Sequence, residues 1–126
     1  MIIGALHEKN NIEKRILLSL EVIKKLSKEK ITILITKNYG LNSNISDQKL
    51  IDSGATIETE ENILKKSDVI LKISLEENDR IELLKSGANI VLNNFNKANL
   101  EILKKLKSKN INIFSLDFLP RITRAQ

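Results

Sequence analysis

The sequence predicts a single three-layer α/β domain built on a mainly parallel sheet. Three observations predict it. Short β-branched runs alternate with stretches whose apolar residues fall three or four apart, the rhythm of βα units. Two of those stretches end on the same stop signal, Ser53-Gly54-Ala55 and Ser86-Gly87-Ala88, where glycine can take the left-handed conformation that closes a helix. The 126 residues are enough for one domain with a real core and too few for two.

Each element has a local reason. Ile2-Ile3 opens the first strand, and NNIEKRILLS (10–19) leads into a helix striped by Val22, Ile23 and Leu26. ITILIT (31–36) is the second strand. Ser46-Asp47 reads as a helix start, with a side-chain oxygen to cap the first turn and an early acid to meet the helix dipole. That helix runs to Gly54, and a strand follows. Thr59-Glu60-Glu61 starts the next helix in the same way. VILKI (69–73) is a strand that begins just after Asp68. Ile81 and Leu84, three apart, read as a helix closed by Ser86-Gly87, with Asp79 on its face. NIVL (89–92) is the next strand. Leu100, Leu103 and Leu106, flanked by Ile102, stripe the last helix; Asn110 tolerates the left-handed turn before INIF (111–114). Pro120, the sole proline, marks a break after the last strand.

Composition narrows the function. The formal charge is +5, yet the lysines are scattered beside apolar stripes, as in Lys24-Lys25, Lys65-Lys66 and Lys104-Lys105-Leu106-Lys107. Aromatics are 3% of the chain, so bases would find almost nothing to stack on; the lysines read as solvated helix faces and not as a nucleic-acid surface. With few aromatics, Ile and Leu must do most of the packing. The absence of cysteine excludes a disulfide scaffold, a thiolate nucleophile and a cysteine zinc site. No apolar run approaches the ~18 residues of a membrane span. MIIGALHEKN lacks the basic and apolar regions of a secretory signal, so the expectation is a cytoplasmic chain that meets a membrane only through partners.

A parallel sheet of this kind binds ligands at the carboxyl ends of its strands. That rim would carry the loops after Leu6, Thr36, Ile73, Leu92 and Leu116. The four glycines, at 4, 40, 54 and 87, form neither GxGxxG nor a Walker loop, so no phosphate-cradling turn is encoded. No nucleophile–His–acid set and no metal-ligand spacing is present: Asp68, Asp79 and Asp117 are too dispersed, and no catalytic residue is assigned. His7, the only histidine, is either a polar rim residue or a base. Arg15 is either a surface arginine or a bidentate clamp for a carboxylate or phosphate. Lys72 interrupts an apolar strand; alternation sends it to the face opposite Leu71 and Ile73, unless the strand end leaves it at the rim. Arg121 and Arg124, three apart, share a face if a turn or helix follows Pro120.

Several segments resemble the alanine dehydrogenase and pyridine nucleotide transhydrogenase family. In MIIGALHEKNNIEKRILLSLEVIKKL, the residues Glu8, Arg15 and Ser19 fall on the marks of that family's opening, with Leu20 in place of its usual proline. YGLNSNISDQKLIDSGATI is similar to its Gly-rich loop, Ser-Asp helix start and Ala-Gly-Ala turn, with Asn replacing most glycines between 38 and 44. SDVILKIS is similar to its Asp-Val-Leu-Lys-Val strand, which places Lys72 at a family position near the cleft. LPRITRAQ reproduces a signature of the transhydrogenase alpha-subunit branch. Alanine dehydrogenases carry a catalytic His and a second substrate Lys where this chain has Phe95 and Ser74, neither suited to that proton chemistry.

The resemblance implies a flavodoxin- or Rossmann-like fold and a role as the N-terminal domain (1–126) of the alpha subunit of a proton-translocating NAD(P)+ transhydrogenase. It implies NAD(H) in the complete subunit, contacted by Arg121 and Gln126, with an Asp expected three residues past Gln126. Arg15 and Lys72 match cleft positions. The NAD-binding Rossmann domain is absent from these 126 residues, which should be inactive alone. NADP(H) belongs to a partner beta subunit, and the other partners are the rest of the alpha subunit and a second copy in a homodimer. The competing readings are an alanine or saccharopine dehydrogenase relative, and a freestanding non-catalytic binding domain or gene remnant.

Overall fold

The computed structural model describes residues 1–7, 16–73, 80–93 and 100–115. Six strands form one sheet: β1 (Ile2–Ala5), β2 (Thr32–Ile35), β3 (Ala55–Ile57), β4 (Val69–Lys72), β5 (Asn89–Leu92) and β6 (Asn112–Ser115). Their order is β3-β2-β1-β4-β5-β6, and every neighbouring pair is parallel. The expected α/β architecture is therefore the one observed.

Among the described residues, four α-helices connect the strands: α1 (Leu20–Lys28), α2 (Asp47–Ser53), α3 (Glu60–Lys66) and α4 (Leu100–Ser108). The starts of the first three follow from capping chemistry. Ser19 Oγ accepts from the Val22 N–H at 3.2 Å, Ser46 Oγ from Lys49 at 3.3 Å and Thr59 Oγ1 from Asn62 at 3.2 Å. Gly54 closes α2 at φ 122°, and Asn110 takes φ 65° after α4. None of the helices among the described residues is long and apolar enough to cross a membrane.

One expected element differs. Ile81–Leu83 is a single 3-10 turn where the sequence suggested a helix. A stripe of two apolar residues needs no more than that, because one turn already brings positions three apart onto one side. Ile81 and Leu84 are both buried in the core.

Chain direction decides which face each helix covers. From β1 the chain steps outward to β2 and β3; from β3 it steps back past β1 to β4, β5 and β6. Right-handed crossovers then put α1 and α2 on one face and α3, the 3-10 turn and α4 on the other. Two apolar clusters result. Ile23 and Leu50 pack over Ala5, Ile33, Ile35 and Ala55 on the first face. Ile63, Leu64, Leu84 and Leu106 pack over Leu34, Ile70, Ile90 and Leu92 on the second.

Helix α3 lies directly on β1, and Gly4 makes this approach possible. A β-carbon there would stand 2.3 Å from Ser67 Oγ and 2.5 Å from Ile63 Cγ2. The amino edge of the sheet is sealed by side chains. Asp68 Oδ2 accepts from the Ile2 N–H at 2.8 Å, and Lys85 Nζ reaches Asp68 Oδ1 at 2.5 Å. Asn89 Nδ2 donates to the Asp68 carbonyl at 3.3 Å, and Asn112 Nδ2 to Asn89 Oδ1 at 3.1 Å. With the amino edge tied together, the carboxyl edge is the one left for ligands.

Candidate functional site

The strand order reverses between β1 and β4. Beyond their carboxyl ends lies the crevice at which open α/β sheets take ligands. His7 follows β1 there, and its backbone N–H donates to Thr36 Oγ1 at 2.7 Å, joining the exits of β1 and β2. Lys72 is the last residue of β4, paired in register with Leu92 and facing away from Leu71.

Lys72 is 5% exposed and is the only charged side chain among the buried described residues. Strand alternation, not fraying at the rim, settles its direction: it joins the α3 and α4 side of the sheet. It borders a cavity of about 10 Å3 whose walls include Leu6, Arg80, Ile81 and Leu84. That volume admits about one water and no cofactor ring. The cavity thus sets the Lys72 and Arg80 side chains among apolar walls.

A wider, open groove of about 470 Å3 lies at the ends of β2 and β3, bordered by Thr36, Lys37, Ile57, Glu58, Thr59 and Glu60. The Glu58 carboxylate accepts from Asn62 Nδ2 at 3.0 Å and from the Thr59 N–H at 3.3 Å. These bonds, the Asn62 one foremost, hold the Glu58 carboxyl below the usual carboxylate range. The groove therefore keeps a negative wall at neutral pH beside the Lys37 ammonium.

The third component of the rim is a strut. Tyr39, 5% exposed, lies in the loop after β2, and its hydroxyl accepts from the Leu18 N–H at 3.3 Å. The same loop is fixed at Asn38, whose backbone takes φ 64° and whose N–H meets the Asp47 carboxylate at 2.9 Å and 3.2 Å. Ile16 and Leu18, just beyond Arg15 in the sequence, pack on the first-face cluster.

Of the four nucleotide-site and cleft residues expected from the resemblance, Arg15, Lys72, Arg121 and Gln126, Lys72 alone falls within the described residues. Arg15, Arg121 and Gln126 lie outside them, as do Glu8, Ser74, Asp79, Phe95 and Asp117. Ser19 is the N-cap of α1, so its local task is to start a helix. Sequence reasoning missed Thr36 and Tyr39. The available signal was that Tyr39 is the sole tyrosine, three residues after the carboxyl end of a strand run.

Cationic and hydroxyl groups meet the switch point, but no glycine lies there to admit a pyrophosphate. Gly4 is inside β1, Gly40 lies in the loop after β2, and Gly54 and Gly87 precede β3 and β5.

The family model described as alanine dehydrogenase/PNT, N-terminal domain, matches residues 4–126. An NAD(P) transhydrogenase subunit alpha from Haemophilus influenzae is 31% identical over 126 residues, 100% of this chain and 24% of that protein. An NAD(P) transhydrogenase alpha-subunit protein from Rhodospirillum rubrum is 30% identical over 120 residues, 90% of this chain and 31% of that protein. The crystal structure of a transhydrogenase from Sinorhizobium meliloti matches with a TM-score of 0.88 at 30% identity, covering 100% of this chain and 38% of that one. An L-alanine dehydrogenase matches with a TM-score of 0.78 at 19% identity over 91% of this chain and 32% of that one, a likeness of fold alone. The chain spans between 24% and 31% of the length of these two curated relatives.

Proposed function

The chain belongs to the alanine dehydrogenase/PNT N-terminal domain family, and from that premise we propose that it is the N-terminal portion of a proton-translocating NAD(P)+ transhydrogenase alpha subunit that helps position NAD(H) for hydride transfer to NADP+. The observation that carries the reading is the 31% identity to an NAD(P) transhydrogenase subunit alpha across all 126 residues. LPRITRAQ, with its resemblance to the alpha-subunit signature, supports it.

The chemistry asks little of the protein in acids or bases. The nicotinamide cofactors supply the hydride chemistry, and the polypeptide supplies proximity and orientation. Arg121 and Gln126 would hold the nicotinamide end of NAD(H) through guanidinium and amide donors. Lys72 and Arg15 would add positive charge at the cleft. Phosphate-binding turns would come from the rest of the subunit, since the glycines here serve the fold. The proposed partners are that remainder, an NADP-binding beta subunit and a second copy of the alpha subunit. The proposed location is cytoplasmic, at the inner membrane through those partners.

The test uses a chimera in which these 126 residues replace the matched quarter of the Haemophilus influenzae subunit, assembled with that organism's partner subunits. Arg121→Ala and Gln126→Ala should each slow hydride transfer from NADH to an NADP+ analogue while leaving assembly intact. Unchanged rates in both variants would contradict the proposal.

A further inference from the structure

A single turn after β2 holds both ends of the connection from β1 to α1. The turn runs from Thr36 to Tyr39 and is closed by the Tyr39 N–H on the Thr36 carbonyl at 3.2 Å. Just past β1, the His7 N–H donates to Thr36 Oγ1 at 2.7 Å. Just ahead of α1, the Leu18 N–H donates to the Tyr39 hydroxyl at 3.3 Å. Neither bond belongs to a helix or strand ladder, since each uses a side-chain oxygen. Leu18 precedes the N-cap Ser19, so its N–H has no acceptor within α1. Tyr39 packs in the first-face cluster, where a phenylalanine would fill the same space. The hydroxyl puts a polar atom where the buried Leu18 N–H needs one.

The turn is itself anchored. Asn38 stands at its third place with φ 64°, a conformation that Asn tolerates. The Asn38 N–H meets both oxygens of Asp47, the first residue of α2, at 2.9 Å and 3.2 Å. The support therefore runs from α2 through the turn to His7 and Leu18. The connection it holds leaves β1 at the switch point, where the strand order reverses. Its sequence carries Arg15, which lies outside the described residues. A charged side chain is only as well aimed as the backbone that carries it. We propose that Thr36 and Tyr39 are positioning residues for nucleotide binding, acting through the connection that carries Arg15 by fixing its two ends. This rests on the reading of the chain as a portion of a transhydrogenase alpha subunit.

Two readouts test it. In the 126-residue chain, amide hydrogen exchange is followed at His7 and Leu18, with circular dichroism to verify folding. Thr36→Val should speed exchange at His7, and Tyr39→Phe at Leu18, each by roughly tenfold. Unchanged rates would overturn the inference. In the Haemophilus influenzae chimera, NADH kinetics are compared for wild type, Thr36→Ser and the double variant Thr36→Val/Tyr39→Phe, with and without Arg15→Ala. The double variant should raise KM for NADH by roughly fivefold at little-changed kcat, the pattern of lost ground-state binding. Thr36→Ser keeps the oxygen and should behave as wild type. With Arg15→Ala in place, the double substitution should add nothing. A merely structural role predicts fewer active molecules, read as a lower kcat at wild-type KM, and the same loss with or without Arg15. Either result overturns the inference. If the double variant does not fold, the two single variants give the same reading. A wild-type chimera that neither binds NADH nor transfers hydride, while exchange responds as expected, sinks the functional reading and leaves the two clamping bonds in place.

Discussion

The hydroxyl of Tyr39, in the loop after β2, accepts a hydrogen bond from the backbone N–H of Leu18, just ahead of α1, across 3.3 Å. This bond couples two rim segments separated by all of α1 and β2. Tyr39→Phe keeps the ring in the core and leaves a buried N–H without this acceptor. A buried donor left unmet costs roughly 1–3 kcal/mol. The expected result is a melting temperature lower by a few degrees, with little change in circular dichroism. An unchanged melting temperature would mean the bond contributes nothing to holding the rim.

Gly4 carries the tightest packing among the glycines. Its missing β-carbon would overlap Ser67 Oγ and Ile63 Cγ2. Gly4→Ala must push α3 off β1, and overpacking of this kind costs roughly 1–3 kcal/mol. The loss should shrink when Ser67→Gly accompanies it, since that substitution clears the nearest atom. Chemical denaturation of the two single variants and the double variant measures the coupling, and simple additivity would contradict it.

Asp68 predicts an acid-sensitive amino edge. The Lys85 ammonium foremost, then the Ile2 N–H, holds its carboxyl below the ordinary value of 3.8. A folded-state pKa below the unfolded one means the unfolded chain binds the proton more readily. Stability from this group is therefore complete above the unfolded value and is lost as pH falls through the folded one. Denaturation profiles of wild type and Asp68→Asn should differ near neutrality and converge in acid. Parallel profiles down to the lowest pH reached would contradict the assignment.

Lys72 separates structure from function. Lys72→Met keeps most of the volume and removes the buried charge, and thermal melting and circular dichroism report separately whether the fold is kept. In the chimera, NADH affinity or hydride transfer should fall, by roughly tenfold for a loss of about 1.4 kcal/mol. Equal kinetics for Met and Lys would remove Lys72 from the site.

Much of the fold was legible because its signals are local. Ser46 and Thr59 are caps, Gly54 and Asn110 are stops, and each acts within one turn of itself. Strand alternation gave the face of Lys72 but left open whether the strand end would carry it to the rim; its burial came from the packing of the far face. The helix expected over Ile81–Leu84 became one 3-10 turn because two apolar residues three apart do not set a helix length. Gly4 carried no legible signal, since its reason is a helix some sixty positions later in the sequence. The tie between Tyr39 and Leu18 was hidden for the same reason: a side-chain bond between loops has no period. Arg15, Arg121 and Gln126 rest on the family resemblance, and they lie outside the described residues.

The most direct measurement is hydride transfer by the chimera carrying these 126 residues, with Arg121→Ala beside it. The expected result is transfer from NADH to an NADP+ analogue by the assembled chimera, and a rate lower by roughly tenfold to a hundredfold once the arginine no longer fixes the ring's position. A folded, assembled chimera that binds NADH yet transfers hydride equally well with and without Arg121 would contradict the assignment of this chain to the nicotinamide site.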